Sequence, residues 1–419
     1  MDQKFIGYKC SKCQSEYSVT QVTYNCPKDG GNLDVILDYD GIRKSQKIED
    51  IIGVTEQSLW KYLPLLPVNN PGGEGTPLRA AGYTPVFSLE RLAQELNLRS
   101  LWVKDESRNP TASFKDRASS VVVGRAREIN AKVVVTASTG NAGAALAGMA
   151  AAVGQKAVIF APRNAPPAKV AQLLVYGAQV ILVDGTYDQA FDLTLQAAQE
   201  FGWYCRNTGY NPFTAEGKKT AAFEIWEWWQ INSKFEFRIS NLNIFVSVGD
   251  GNIISGIYKG FKDLLALGWI EEMPRLFGVQ AAGSAAVANA FFRNTEDIIP
   301  VSAQTLADSI SVDLPRDGVR AVRAARETGG SYIVVEDSEI LDAIASLGKV
   351  GIFAEPAGAT SFAGLVKAVK HGQIEPENPV MVINTGSGLK DVKAAMQAVN
   401  EAPVIEPILE AVKKIVNHL

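Results

Sequence analysis

Lys132-Val133-Val134-Val135-Thr136-Ala137-Ser138-Thr139-Gly140-Asn141-Ala142-Gly143-Ala144-Ala145 is the stretch from which the fold is read. A short apolar run of strand character gives way to hydroxyls and a glycine, which open into an alanine-rich segment of helix length over 141–153. The alternation continues outward, with strand-like runs at 156–160 and 179–183 and helix-like segments at 167–176 and 187–201. A second set of runs follows at 243–248, 276–280, 332–335 and 380–384. Such alternation builds parallel sheets covered by helices on both faces. The expected class is therefore α/β with two such domains. Upstream, Leu89, Leu92 and Leu96 predict a helix over 88–97, and 101–104 reads as a short buried strand.

The chain has 419 residues, with 41 Lys+Arg against 45 Asp+Glu and only two histidines, His371 and His418. That scarcity argues against Ser-His-Asp or Cys-His nucleophiles and against multi-histidine metal centres. A composition of 47% hydrophobic and 21% charged residues is that of a soluble globular protein. A formal charge of −4 gives no electrostatic reason to expect nucleic acid or an anionic membrane as partner. No apolar run is long enough to span a bilayer, and Met1-Asp2-Gln3-Lys4 leads into no signal core, so a cytoplasmic address is expected.

In parallel α/β sheets ligands gather beyond the carboxyl ends of the strands, which directs attention to three loops. The first is Asn109-Pro110-Thr111-Ala112-Ser113-Phe114-Lys115-Asp116-Arg117. Its turn and cap formers set Lys115 at a helix start, an unfavourable place for a cation. Lys115 is then either a solvated surface lysine or one whose charge is removed or matched by a ligand. The second loop, Ser138-Thr139-Gly140-Asn141, follows a strand and supplies hydroxyls and free helix amides. The third, Gly249-Asp250-Gly251-Asn252-Ile253, reads as a phosphate cradle but carries neither P-loop nor GxGxxG spacing. A monophosphate ligand suits it better than a nucleotide, and a nicotinamide dehydrogenase lacks its fingerprint.

The first forty residues form a separate unit, in which Cys10-Ser11-Lys12-Cys13 and Cys26-Pro27-Lys28-Asp29 resemble the two knuckles of a zinc ribbon. Asp29 stands where a fourth cysteine is usual. Either a zinc site with a carboxylate ligand or a metal-free remnant fits this pattern.

The conjunction of Ser113-Phe114-Lys115-Asp116-Arg117, Ser138-Thr139-Gly140-Asn141 and the glycine loop resembles pyridoxal-phosphate enzymes of the tryptophan synthase β fold, and most closely the threonine synthase family. Further stretches carry the same resemblance: Gly73-Glu74-Gly75-Thr76-Pro77-Leu78, Glu216-Gly217-Lys218-Lys219-Thr220 and Thr385-Gly386-Ser387-Gly388-Leu389-Lys390-Asp391. The resemblance implies a zinc-ribbon-like segment over 1–40, a large cofactor-binding domain over 41–108 and 209–419, and a small α/β domain over 109–208. It further implies that Lys115 holds pyridoxal phosphate through its amine and acts as the catalytic base. Asn141 would contact the cofactor ring's oxygen, Gly249, Asp250, Gly251, Asn252 and Ile253 its phosphate, and Thr385 its pyridine nitrogen. The implied substrate is a phosphorylated amino acid, O-phosphohomoserine, and the implied assembly a homodimer.

A phosphorylated substrate needs a second anion site, for which Lys104, Ser107, Arg108, Ser113, Arg117, Ser138, Thr139 and Lys169 are the candidates. The chain departs from its relatives in the ligand shell: Ala142 follows Asn141 where a hydroxyl is common, and Ser387 stands where histidine is frequent. A threonine or serine dehydratase, or a replacement enzyme acting on phosphoserine, is the alternative reading.

Overall fold

In the computed structural model, which describes residues 4–138, 140–165, 167–232 and 238–416, the strands gather into three sheets. The first is a small antiparallel sheet of β1 (Phe5–Cys10), β2 (Glu16–Tyr17) and β3 (Leu33–Leu37), with β1 in the middle. The two larger sheets meet the α/β expectation. One has six strands: β4 (Val86–Ser88), β5 (Leu101–Asp105), β10 (Asn243–Ser247), β11 (Arg275–Ala281), β12 (Tyr332–Val335) and β13 (Val380–Asn384). Their order is β12-β11-β10-β13-β5-β4, parallel throughout except for β4 at the edge. The other has four parallel strands in the order β8-β7-β6-β9: β6 (Val133–Ala137), β7 (Lys156–Pro162), β8 (Gln179–Val183) and β9 (Tyr204–Cys205).

Burial explains why the runs read as continuous apolar segments. Every residue of β5, β10 and β13 is buried, as a parallel strand covered on both faces must be. Phe245 of β10 stacks on Phe277 of β11 with ring centroids 4.8 Å apart. The helix expected over 88–97 is shorter, Glu90–Glu95, because Asn97 turns into the left-handed region at φ 53° and ends it. The segment 141–153 likewise stops at Ala151, ahead of Gly154 at φ 68°. The short strands β4 and β9 were not foreseen, since two or three residues carry no readable period.

The helix Lys115–Glu128 lies against the helices Asn141–Ala151 and Phe213–Lys218 and so links the two larger sheets. No helix among the described residues is long and apolar enough to cross a membrane.

Candidate active site

The carboxyl ends of β5, β6, β10 and β13 converge on one cleft. From β5 the chain makes a short 3-10 turn, Glu106–Arg108, and reaches Ala112, which sits at φ 62°. Two bonds to the loop after β13 hold this turn: Phe114 N donates to Thr385 O at 2.9 Å, and Ser387 N donates to Ala112 O at 3.1 Å. Within the turn, Thr111 N donates to the Asp116 carboxylate at 2.6 Å. Lys115, the first residue of its helix, is thereby fixed at the cleft floor with its surface half-buried. Loss of hydration pushes its amine down to about 8, and the Arg206 guanidinium pushes the same way against Asp250 and Glu355. A substantial share of neutral amine near neutral pH is what a nucleophile and proton carrier requires.

At the end of β10, Gly249-Asp250-Gly251 turns into the helix Asn252–Ala266, whose first amides have no intrahelical partner. Gly251 takes φ 89°, and a Cβ there would lie 2.7 Å from Asp317 O and 2.8 Å from the Ala321 methyl. Only glycine lets the turn come so close to the helix Gly318–Glu327. Asn252 is locked from both sides: Lys218 Nζ donates to its Oδ1 at 2.5 Å, and its Nδ2 donates to Asp317 Oδ2 at 2.6 Å. Buried and flanked by Lys115 and Arg206, Lys218 has its pKa lowered well below normal, with desolvation the leading cause.

Asn141, at the start of its helix after β6, donates to both oxygens of Glu355 at 2.8 and 3.0 Å. Burial raises the Glu355 carboxyl, against the pull of the Asn141 bond and of Lys390, Lys115 and Lys169. Lys115, Asn141, the Gly249–Ile253 turn and Thr385 line a single cavity. It opens into a cleft of about 360 Å³ that Ser138 also lines. Lys169 sits at the mouth beside Asp308, with which it pairs, and Lys390 donates to Gln172 Oε1 at 3.0 Å. Thr139 lies outside the described residues.

Several expected substrate ligands are elsewhere. Lys104 and Arg117 face away from the cleft, 1% and 0% exposed, and are corrected to structural cations. Lys104 Nζ donates to Glu224 at 2.7 Å; Arg117 binds Glu224 at 2.5 and 2.6 Å and Glu106 at 2.7 and 2.8 Å. No charge remains in that network for a phosphate. Ser113 is fully buried, and Ser107 and Arg108 fold back on Asp105.

Sequence reading missed Ser247, whose buried hydroxyl has no partner among the described residues and which lines the Lys115 cavity. As a small residue inside the apolar run at 243–248 it gave no signal. It also missed Glu355, Lys390 and Arg206. Lys390 lies in the stretch Thr385 to Asp391, but its meeting with Gln172, like that of Glu355 with Asn141, depends on the fold.

These groups fit pyridoxal phosphate: an amine with a lowered pKa, a helix-start cradle that a Cβ would fill, and an orphan hydroxyl in the cavity wall. The family model described as "Pyridoxal-phosphate dependent enzyme" matches residues 78–386, so fold and site together define a member of that class. The threonine synthase of Methanocaldococcus jannaschii is 39% identical over 414 residues, covering 98% of this chain and 99% of that protein. That of Methanosarcina acetivorans is 37% identical over 97% of each chain. The chain belongs to the threonine synthase family of pyridoxal-phosphate-dependent lyases. Among solved structures, maize serine racemase aligns with a TM-score of 0.64 over 80% of this chain and 93% of its own, at 23% identity. The processed threonine deaminase isoform 2 of Solanum lycopersicum aligns at 0.62 and 22% identity, over 84% of this chain and 91% of its own. At these identities both likenesses speak to fold alone.

Proposed function

We propose that the protein converts O-phospho-L-homoserine and water to L-threonine and inorganic phosphate, with Lys115 as the proton carrier. The observation that carries this reading is a cleft with two separate regions for anions. The Gly249–Ile253 turn offers backbone amides at one end, and Lys169 and Lys390 offer side-chain cations at the other. A cofactor phosphate and a substrate phosphate need one each.

Bound pyridoxal phosphate supplies the electron sink that makes the substrate's α-proton removable. The residues do the rest. Lys115 in its neutral form takes that proton and returns protons to the substrate's carbon skeleton later in the turnover. Asn141, held by Glu355, orients the ring, and Thr385 and the Ser247 hydroxyl offer neutral partners on the cavity wall. Lys169, Lys390 and Ser138 bind the leaving phosphate and match its charge as it departs.

We further propose a cytoplasmic homodimer. Four free thiols suit a reducing compartment, and Val404, Leu409 and Val412 near the C-terminus expose apolar surface for a second copy. Zinc at the N-terminal thiolates is assigned no part in the reaction. Product identification with O-phosphohomoserine, phosphoserine and threonine, each supplied alone, tests the reading. Threonine and phosphate in equal amounts support it; ammonia and a 2-oxo acid as the main products would replace it with a dehydratase.

A further inference from the structure

Cys10, Cys13, Cys26 and Asp29 place one ligand atom each within 4.8 Å of all the others. Spacings within the cluster match those of a coordination polyhedron for the Cys13–Cys26 and Cys10–Asp29 pairs. A tetrahedral zinc with Zn–S of about 2.3 Å and Zn–O of about 2.0 Å sets sulfurs about 3.8 Å apart and sulfur about 3.5 Å from oxygen. Here Cys13 Sγ and Cys26 Sγ are 3.6 Å apart, and Cys10 Sγ lies 3.3 and 3.7 Å from the Asp29 oxygens. The surroundings are those of an oriented ligand set. Lys12 N donates to Cys10 Sγ at 3.3 Å, Tyr17 Oη lies 3.1 Å from Cys26 Sγ, and Gly31 N donates to Asp29 Oδ1 at 2.9 Å. A Cβ on Gly31 would stand 2.8 Å from Cys10 Sγ and 2.9 Å from Asp29 Oδ1, so the second knuckle closes only over glycine. Three thiolates favour zinc over magnesium or calcium, and four ligands with no open position make a structural site.

The ribbon that this cluster ties together also touches the cofactor cradle. Asp34 of β3 receives Arg320 NH1 at 2.6 Å; Arg320 grips Asp317 at 2.6 and 2.8 Å; and Asp317 receives Asn252 Nδ2 at 2.6 Å. Beside the ligands, Ser11 O accepts from Arg323 at 2.5 Å, and Asn32 Nδ2 donates to Arg316 O at 3.0 Å. On the other side Cys205 N donates to Tyr24 Oη at 2.9 Å, and Tyr24 stacks on Tyr210 at 4.4 Å, flanking Thr208 of the cleft. We propose that Cys10, Cys13, Cys26 and Asp29 bind one zinc ion, and that the zinc-loaded ribbon braces the cradle through Asp34, Arg320 and Asp317. The brace rests on pyridoxal phosphate occupying that cradle; the metal site does not.

The test uses the full-length holoenzyme, produced with zinc in the medium and purified without chelator. Metal analysis is expected to give about one zinc per chain, a loss of tenfold or more in Cys26→Ser, and retention in Asp29→Cys, which completes a four-thiolate set. Cobalt exchanged into the site is expected to give the thiolate charge-transfer and visible bands of a tetrahedral ion, absent in Cys26→Ser. Less than a tenth of a zinc per chain after incubation with the metal would overturn the site. So would full zinc in Cys26→Ser, or a Cys13–Cys26 disulfide in the fresh protein. For the brace, Asp34→Asn keeps every metal ligand. It is expected to hold its zinc while its affinity for pyridoxal phosphate falls about threefold to tenfold. Unchanged cofactor affinity in that variant would overturn the brace and leave the zinc site standing. A variant that binds no cofactor under any condition, in a parent that also binds none, would instead overturn the pyridoxal-phosphate reading.

Discussion

Lys115 is a cation placed at a helix start, among Arg206 and Lys218, with Asp250 and Glu355 favouring its charge. Loss of hydration and, after it, the Arg206 charge act on one amine, and the outcome is a group that sheds its proton near pH 8 instead of its ordinary 10.5. The neutral amine is the form that attacks an aldehyde, and its share grows as pH rises through the pKa. Protein stripped of cofactor is therefore expected to take up pyridoxal phosphate faster with rising pH and to level off above about pH 8. A rate still climbing steeply at pH 10 would mean an ordinary exposed lysine. Lys115→Ala is expected to cut turnover by about 10²–10⁴-fold, and borohydride should then fix no cofactor on the chain, as mass spectrometry of the digested protein would show.

At the level of elements, the cradle shows what a sequence carries and what it withholds. A strand run, glycines and a helix start are local, so the turn at 249–253 could be singled out as a candidate cradle. The reason for its glycine was not readable, because the obstructing atoms belong to Asp317 and Ala321, far along the chain. Gly251→Ala forces an L residue to φ 89° against those atoms. Cofactor affinity is expected to fall at least tenfold, measured by titration of the stripped protein, with the melting temperature of the holoenzyme lowered too. The same distance effect misled the reading of Lys104 and Arg117. Their partner Glu224 comes from the helix Thr220–Ile231, more than a hundred residues later, and a cation whose counter-charge is remote looks free in a sequence. Glu224→Gln leaves both cations short of a charge in a dry interior. The expected loss is about 3–5 kcal/mol, read as a lower urea midpoint, while the protein that remains folded keeps the parent's KM.

Across the whole molecule, residues that follow strands of both larger sheets line the cleft, and polar contacts cross its mouth. The helix Pro167–Val175, which joins β7 to β8, presents Lys169 to Asp308 and Gln172 to Lys390 on the six-stranded side. Alternation alone announced two α/β sheets, yet no periodicity could say which side chains meet across the gap. The Lys169–Asp308 pair is the weaker kind: Asp308 is 62% exposed, and such pairs contribute about 0–1 kcal/mol. A doubly charged phosphate is a stronger partner for Lys169 than one hydrated carboxylate, so substrate can displace Asp308 at little cost. The two partners should then respond with opposite signs. Lys169→Met removes a charge-assisted contact and is expected to raise KM for O-phosphohomoserine by about tenfold or more, with a smaller change in kcat. Asp308→Asn removes the competitor and is expected to lower KM by up to about fivefold, most clearly at low ionic strength, where the carboxylate repels the incoming phosphate over the longest range. Steady-state kinetics of both variants across a salt series measures this, and equal changes of the same sign would place the substrate phosphate away from Lys169.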